Sequence, residues 1–250
     1  MGSRVGAWRP RESAPSFVRG DHSESALCRL RAGWQRLCED ERDSVIAASI
    51  VASDLARLGA PPDILGEAAR VVEDEVRHVE VCEQVLACIG AKALHVPPAE
   101  RRRPAGDTPN LEVKCARDLL AGFAVGEAMS AATFAVCRRS TTDPLIRWAL
   151  TELLRDEARH SGFGVRAGSW VIRSWDPEAR VGLWPACVAE MEWFERMLGG
   201  PIAPDAGEPA PDAQSSGLGM LPPHQTCGAA VACLPRWVLR PLAALGVVPG

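Results

Sequence analysis

The sequence predicts an all-α fold: four long helices in an antiparallel bundle with one long crossover, followed by a C-terminal helix and an irregular tail. Three observations predict it. Apolar residues recur at three- and four-residue steps through four segments, two connections are short while the middle one is long, and no period-two alternation is long enough for a strand.

Residues 1–25 are rich in Arg, Gly, Ser and Pro and read as a loose leader. From about Trp34 the helical period takes over through Leu37, Glu41, Val45, Ala48, Ala52 and Leu55, until Gly59-Ala60-Pro61-Pro62 stops it. A second helix is predicted from about Asp63 to Ile89, ended by Gly90. Residues 91–110 carry four prolines and three consecutive arginines, a long irregular connection. The third helix is predicted over about Leu111 to Arg138. The fourth opens at Thr142-Asp143-Pro144, a side-chain cap followed by Pro at the first helical position, and runs to about Ile172. A shorter fifth helix is expected between Pro185 and Leu198. The expected domains are a leader (1–25), a helical domain (26–199) and a Pro/Gly-rich tail (200–250) whose apolar end, Gly228 to Val248, docks as short helices.

At 250 residues, 47% hydrophobic and 24% charged, the chain can bury a substantial core. A net charge of −4, with the charges spread, gives no footprint for nucleic acid. The first 25 residues hold no apolar signal core, and the uncharged stretches are too interrupted for a membrane span, so a cytoplasmic protein without membrane contact is expected. Nine cysteines without a Cys-x-x-Cys pair suit reduced, mostly buried thiols. Cys82 reads as a core thiol, and Cys227 and Cys233 with His224 match no strong metal pattern.

Two segments match each other: Val71-Val72-Glu73-Asp74-Glu75-Val76-Arg77-His78 and Leu153-Leu154-Arg155-Asp156-Glu157-Ala158-Arg159-His160. A Glu and a His three apart share a helix face, and both pairs fall on the inward stripe, where an uncompensated charge is costly. The other two helices each supply one carboxylate. Between Asp118 and Arg138 the only charged side chain is Glu127, set among Leu120, Phe123, Ala131 and Phe134. On the first helix Glu41 is in phase with Leu37, Val45 and Ala48, while Glu39 and Asp43 fall off that stripe. At about 1.5 Å per residue, both hairpins bring their groups within roughly two helical turns of level.

One Glu from each of two helices and a Glu-x-x-His from each of the others is the ligand set of the two-metal carboxylate bundles. Four carboxylates carry the charge that two divalent ions neutralise. Glu41, Glu75, His78, Glu127, Glu157 and His160 are therefore the candidate metal ligands and catalytic groups. Glu and His donors do not choose strongly between iron and manganese, so manganese stays open at either position.

Over about residues 34–172 the chain resembles the ferritin-like superfamily, whose bundles share the single long crossover. Its Asp-Glu-x-Arg-His form is similar to the motif of the oxygen-activating di-iron members, such as bacterial multicomponent monooxygenases and acyl-carrier-protein desaturases. The resemblance implies that Asp74 and Asp156 bond the spare histidine nitrogens across the pair, with Arg77 and Arg159 bracing those carboxylates. It implies two iron ions, dioxygen, an organic substrate and an external electron donor, and it allows a homodimer. A tyrosyl-radical enzyme is not expected, because the chain has no tyrosine. No Cys-x-x-Cys module of the rubrerythrin kind is present either. The expected activity is a di-iron oxidase or oxygenase acting on a small or apolar substrate; iron handling and a metal-stabilised scaffold are the alternatives. Gly122, Ala124, Gly126, Ala128 and Ser130 either leave room for a substrate pocket or permit close helix packing.

Overall fold

Ser23 opens the first helix: its hydroxyl accepts the Ala26 N–H at 3.2 Å. In the computed structural model, which describes residues 14–94, 108–199 and 217–249, this helix is α1 (Glu24–Arg57). Gly59, at φ +74°, turns the chain into α2 (Pro62–Cys88), and Gly90, at φ +72°, ends it. Both sit in the left-handed region that ends helices, where a side chain would be strained. The crossover's centre, including His95, lies outside the described residues.

Asn110 accepts the N–H groups of Glu112 and Val113 at 3.0 and 3.2 Å and starts α3 (Leu111–Ser140). Asp143 accepts the Ile146 N–H at 3.0 Å and starts α4 (Pro144–Val171). Next come α5 (Pro177–Val181), α6 (Trp184–Gly199), α7 (Pro223–Cys233), a π-helical stretch (Leu234–Leu239) and α8 (Arg240–Ala244). The described residues contain no strand, so the fold is all-α.

Helix α1 packs on α2, α2 on α4, and α4 on α3; α6 and α7 lie along α3 outside these four. Two apolar layers fill the interior. One holds Val51, Leu55, Val71, Leu119, Phe123 and Phe163, the other Trp34, Val85, Leu86, Leu145 and Leu153. On α1, α2 and α4 a polar layer separates them: Glu41 lies between Cys38 and Ala48, Glu75 and His78 between Val71 and Val81, Glu157 and His160 between Leu153 and Phe163.

Three features differ from the sequence expectations. Helix α1 begins at Glu24, ten residues before Trp34, because Ser23 caps it and Ala26, Leu27 and Leu30 are buried. Part of the expected loose leader is docked: Phe17 packs against the second layer, and the Val18 N–H donates to Asp143 at 3.0 Å. Finally, the central residues of α3, Asp118–Glu127, are π-helical, which periodicity did not predict.

The tail's apolar end does dock, burying Ala230, Cys233, Val238, Leu242 and Val247 in the first layer. Helix α3 is long and apolar enough to cross a membrane by length and composition, but 61% of its most apolar window is buried within the protein.

Candidate metal centre

All four long helices deliver polar groups to the layer between the apolar clusters. Glu41, Glu75, His78, Glu157 and His160 are buried, both histidines completely; Glu127 is half-buried. The ligand atoms of Glu41, Glu75 and His78 lie within 4.8 Å of one another, and so do those of Glu75, Glu127 and His160. Glu75 belongs to both groups. His78 Nδ1 lies 3.3 Å from Glu41, 3.5 Å from Glu75 and 3.7 Å from Glu157. The two imidazole centroids are 5.7 Å apart. All six side chains selected from the sequence therefore come together, five of them buried and Glu127 half-buried.

The far side of each histidine faces an aspartate of the opposite helix. His160 Nε2 donates to Asp74 at 3.2 Å, and His78 Nε2 lies 3.4 Å from Asp156. Arg77 pairs with Asp156 and, at 2.8 Å, with Asp74. Arg159 pairs with Asp74 and, at 2.8 Å, with Asp156. The repeated Asp and Arg thus form a crossed network between α2 and α4. With Nε2 of each ring toward an aspartate, Nδ1 faces the glutamates.

Five buried atoms here have no hydrogen-bond partner: Nδ1 of His78, Nδ1 of His160, Glu75 Oε1 and Glu157 Oε2 on the inner side, and His78 Nε2 on the side facing Asp156. His160 Nδ1 and Glu75 Oε1 are 2.9 Å apart but off the line of a hydrogen bond. A buried polar atom left unpaired costs about 1–3 kcal/mol, and the four inner ones are what a set of cation ligands looks like without its cations. With bonds of about 2.1 Å, ligand atoms on one ion sit roughly 3–4 Å apart, as His78 Nδ1 does from Glu41 and Glu75, at 3.3 and 3.5 Å.

The titration of the metal-free site points the same way. Burial pushes the Glu41 carboxyl up to about 7 against the pull of His78. Burial, and then the neighbouring Glu127, hold Glu157 well above the usual carboxylate range. Burial opposes charge on the imidazoles too, but the carboxylates beside them outweigh it and raise His78 to about 9 and His160 to about 10. Glu75, although buried, is held down at about 2 by the same two rings. Protons fill the place that cations would take.

Compared with protein-family models, curated proteins and solved structures, the chain matches none. The geometry alone carries the functional reading.

Helix α3 reaches the site in a π-helical form that ends on Glu127. A π turn widens the helix and leaves its carbonyls imperfectly paired, and α4 accommodates both effects. Ser161 donates its hydroxyl to the Ala124 carbonyl at 3.1 Å. A Cβ on Gly164 would come within 2.5 Å of Ala124 N and 2.6 Å of Leu119 O, and one on Gly168 within 2.5 Å of Leu120. At Gly164, which faces backbone, only glycine permits that approach, whereas at Gly168 the Leu120 side chain would have to shift. The small residues of α3 therefore divide: the Ala124 backbone packs closely, while Gly122, Gly126 and Ser130 line a cleft.

That cleft, about 860 Å³, lies between α1, α3 and α6 and reaches Glu41, Glu127 and Glu157. Periodicity overlooked one residue in it, the buried Glu190 of α6. The signal was available, since Glu190 shares a helix face with Trp193, Phe194 and Met197. Cys82 is buried in the second apolar layer, and Cys233 donates weakly to the Ala128 carbonyl at 3.6 Å. Among the described residues Cys227, Cys233 and His224 form no metal-ligating group.

Proposed function

We propose that this protein is a ferritin-like bundle that holds a carboxylate-bridged two-metal centre, iron in both positions, and uses it to oxidise an organic substrate with dioxygen. The observation that carries the reading is the set of four orphaned, buried donor atoms around a carboxylate shared by two ligand groups. Glu41, Glu75 and His78 would hold one ion and Glu75, Glu127 and His160 the other, with Glu157, which lies beside both His78 and Glu127, placed to contribute to either. Bound iron would supply dioxygen binding and the oxidising power, drawing electrons from an external donor.

The chain's own residues contribute the rest. Asp74 and Asp156 face the two imidazole Nε2 atoms and orient the rings, Arg77 and Arg159 pair with those aspartates and keep them in place, and the two apolar layers exclude water above and below. An oxidase is favoured over iron storage because the cleft, of the size that small-molecule sites have, opens onto three of the six ligands.

The test is metal analysis with anaerobic and aerobic absorption spectra of iron-loaded protein. About two iron atoms per chain and an oxygen-dependent spectral change are expected. A protein that holds no iron, or the same amount after His160→Ala, sinks the reading.

A further inference from the structure

We infer that the C-terminal end of this protein docks on an anionic lipid bilayer, with Trp237 entering the headgroup layer and Arg173, Arg180, Arg236 and Arg240 meeting the lipid phosphates. The inference goes beyond the two-metal reading and does not depend on it.

Residues 213–250 contain no aspartate or glutamate and carry two arginines, Arg236 and Arg240. Where the chain runs from α7 through the π-helical stretch into α8, a stripe of Cys233, Val238, Leu242 and Val247 is buried in the first apolar layer. Between these residues Arg236, Trp237 and Arg240 are exposed. Trp237 is 55% exposed. An indole held in water forgoes a large apolar burial, and a headgroup layer restores it while leaving the N–H wet.

The turn after α4 and helix α5 extend the same surface. Arg180 donates to the carbonyls of Trp175 at 3.1 Å, Arg173 at 3.1 Å and Leu245 at 3.4 Å, which ties α5 to the end of α8. Arg173 donates to the Trp170 carbonyl, and its guanidinium lies 4.4 Å from the centre of the Trp170 ring. The Arg236 guanidinium lies 4.9 Å from the centre of the Trp237 ring. Carbonyls and rings leave positive charge uncancelled, and among the described residues none of these four arginines is paired with a carboxylate. Two carboxylates do stand at α5: Asp176 accepts the Ala179 N–H at 2.8 Å, and Glu178 is exposed. On the α7 flank Glu192 and Glu195 of α6 line a small cavity with Val231. The basic surface therefore centres on Trp237 and Arg240 rather than on α7.

One occupant answers both features. A bilayer that contains anionic lipids offers phosphates to the guanidinium groups and an interfacial layer to the indole. An apolar anchor beside a basic cluster is the pair of signals that lasting surface attachment needs. A free anion would meet the arginines but leave Trp237 in water. The contact lies along the headgroups and requires no spanning helix.

The test is co-sedimentation of the full chain with vesicles of phosphatidylcholine alone and with about 30% phosphatidylglycerol, at about 0.1 M salt. Binding should be about tenfold or more tighter to the anionic vesicles and should weaken as salt rises to about 0.5 M. The double variant Arg236→Gln, Arg240→Gln should lose about tenfold in affinity. Trp237→Ser should lose about as much, together with part of the quenching of tryptophan fluorescence by brominated lipid chains. Both variants change exposed side chains, and the wild-type comparison of the two vesicle compositions stands as a test even where a variant fails to fold. No binding to the anionic vesicles, equal binding to both compositions, or binding that survives both variants overturns the inference. So does a dimer in solution that Trp237→Ser dissociates, because a second copy would then cover this face.

Discussion

Asp74 of α2 accepts the Nε2–H of His160 of α4 at 3.2 Å, and the same aspartate is paired with Arg159, one residue before that histidine. Asp156 stands toward His78 and Arg77 in the mirrored relationship, at 3.4 Å from the ring. Each imidazole therefore faces an aspartate of the opposite helix, hydrogen-bonded in the case of His160 and in close approach in the case of His78. Replacing Asp156 with Asn should leave close to the full metal complement but lower oxygen-dependent turnover by about 10- to 100-fold. Metal analysis beside steady-state oxygen uptake decides it; loss of metal with unchanged turnover per bound metal would contradict the steering role.

The shared position of Glu75 makes the site asymmetric under mutation. Glu41→Ala and Glu127→Ala each remove a ligand from one position and should each cost about one metal per chain. Glu75→Ala removes a ligand from both and should cost about two. Metal stoichiometry after dialysis reads this directly. Equal losses in all three variants would show that Glu75 does not bridge.

Close packing of α4 on the π-helical part of α3 gives a stability prediction. Gly164→Ala drives a methyl into the backbone of Ala124 and Leu119 and should destabilise the fold by about 1–3 kcal/mol. Gly162→Ala meets only the flexible end of Arg166, at 3.1 Å, and should be neutral or stabilising by up to about 1 kcal/mol. Thermal unfolding of the two variants side by side is the check; a Gly164→Ala protein as stable as wild type would mean that the interhelical contact is looser.

Protons and cations compete for the same groups, which fixes the sign of two pH dependences. In the metal-free protein Glu41, raised to about 7, and the histidines, raised to about 9 and 10, bind protons more tightly than in the unfolded chain. Their contribution to stability is complete below the unfolded values. It is lost as pH rises through the folded ones, so the metal-free melting temperature should fall between about pH 6 and 10. Metal affinity should move the other way, weakening as pH drops below neutral, because each cation must displace those protons. A metal-free melting temperature that is flat or rising over this range would contradict the assignment.

Much of this was legible along the chain. Glu75 with His78, and Glu157 with His160, were marked by three-residue spacing on inward stripes, and Glu127 by being the one charge between Asp118 and Arg138. Phase within a helix is a local property, and burial punishes any charge placed on the wrong face. The start of α1 was missed because Ser23 acts as a cap only when Ala26, Leu27 and Leu30 find a core to enter. Glu190 was missed because its helix lies outside the hairpins whose heights could be compared.

By itself the sequence determined which residues face inward, where the long helices stop, and which six side chains could meet. Only the tertiary structure decided that α3 is π-helical as far as Glu127 and that α6 brings a further carboxylate to the cleft. The physical reason is distance along the chain. Helical phase and caps are set by neighbours a few residues away, whereas Gly164 shapes α3, and Gly126 admits Glu190, through contacts that exist only after the helices have packed.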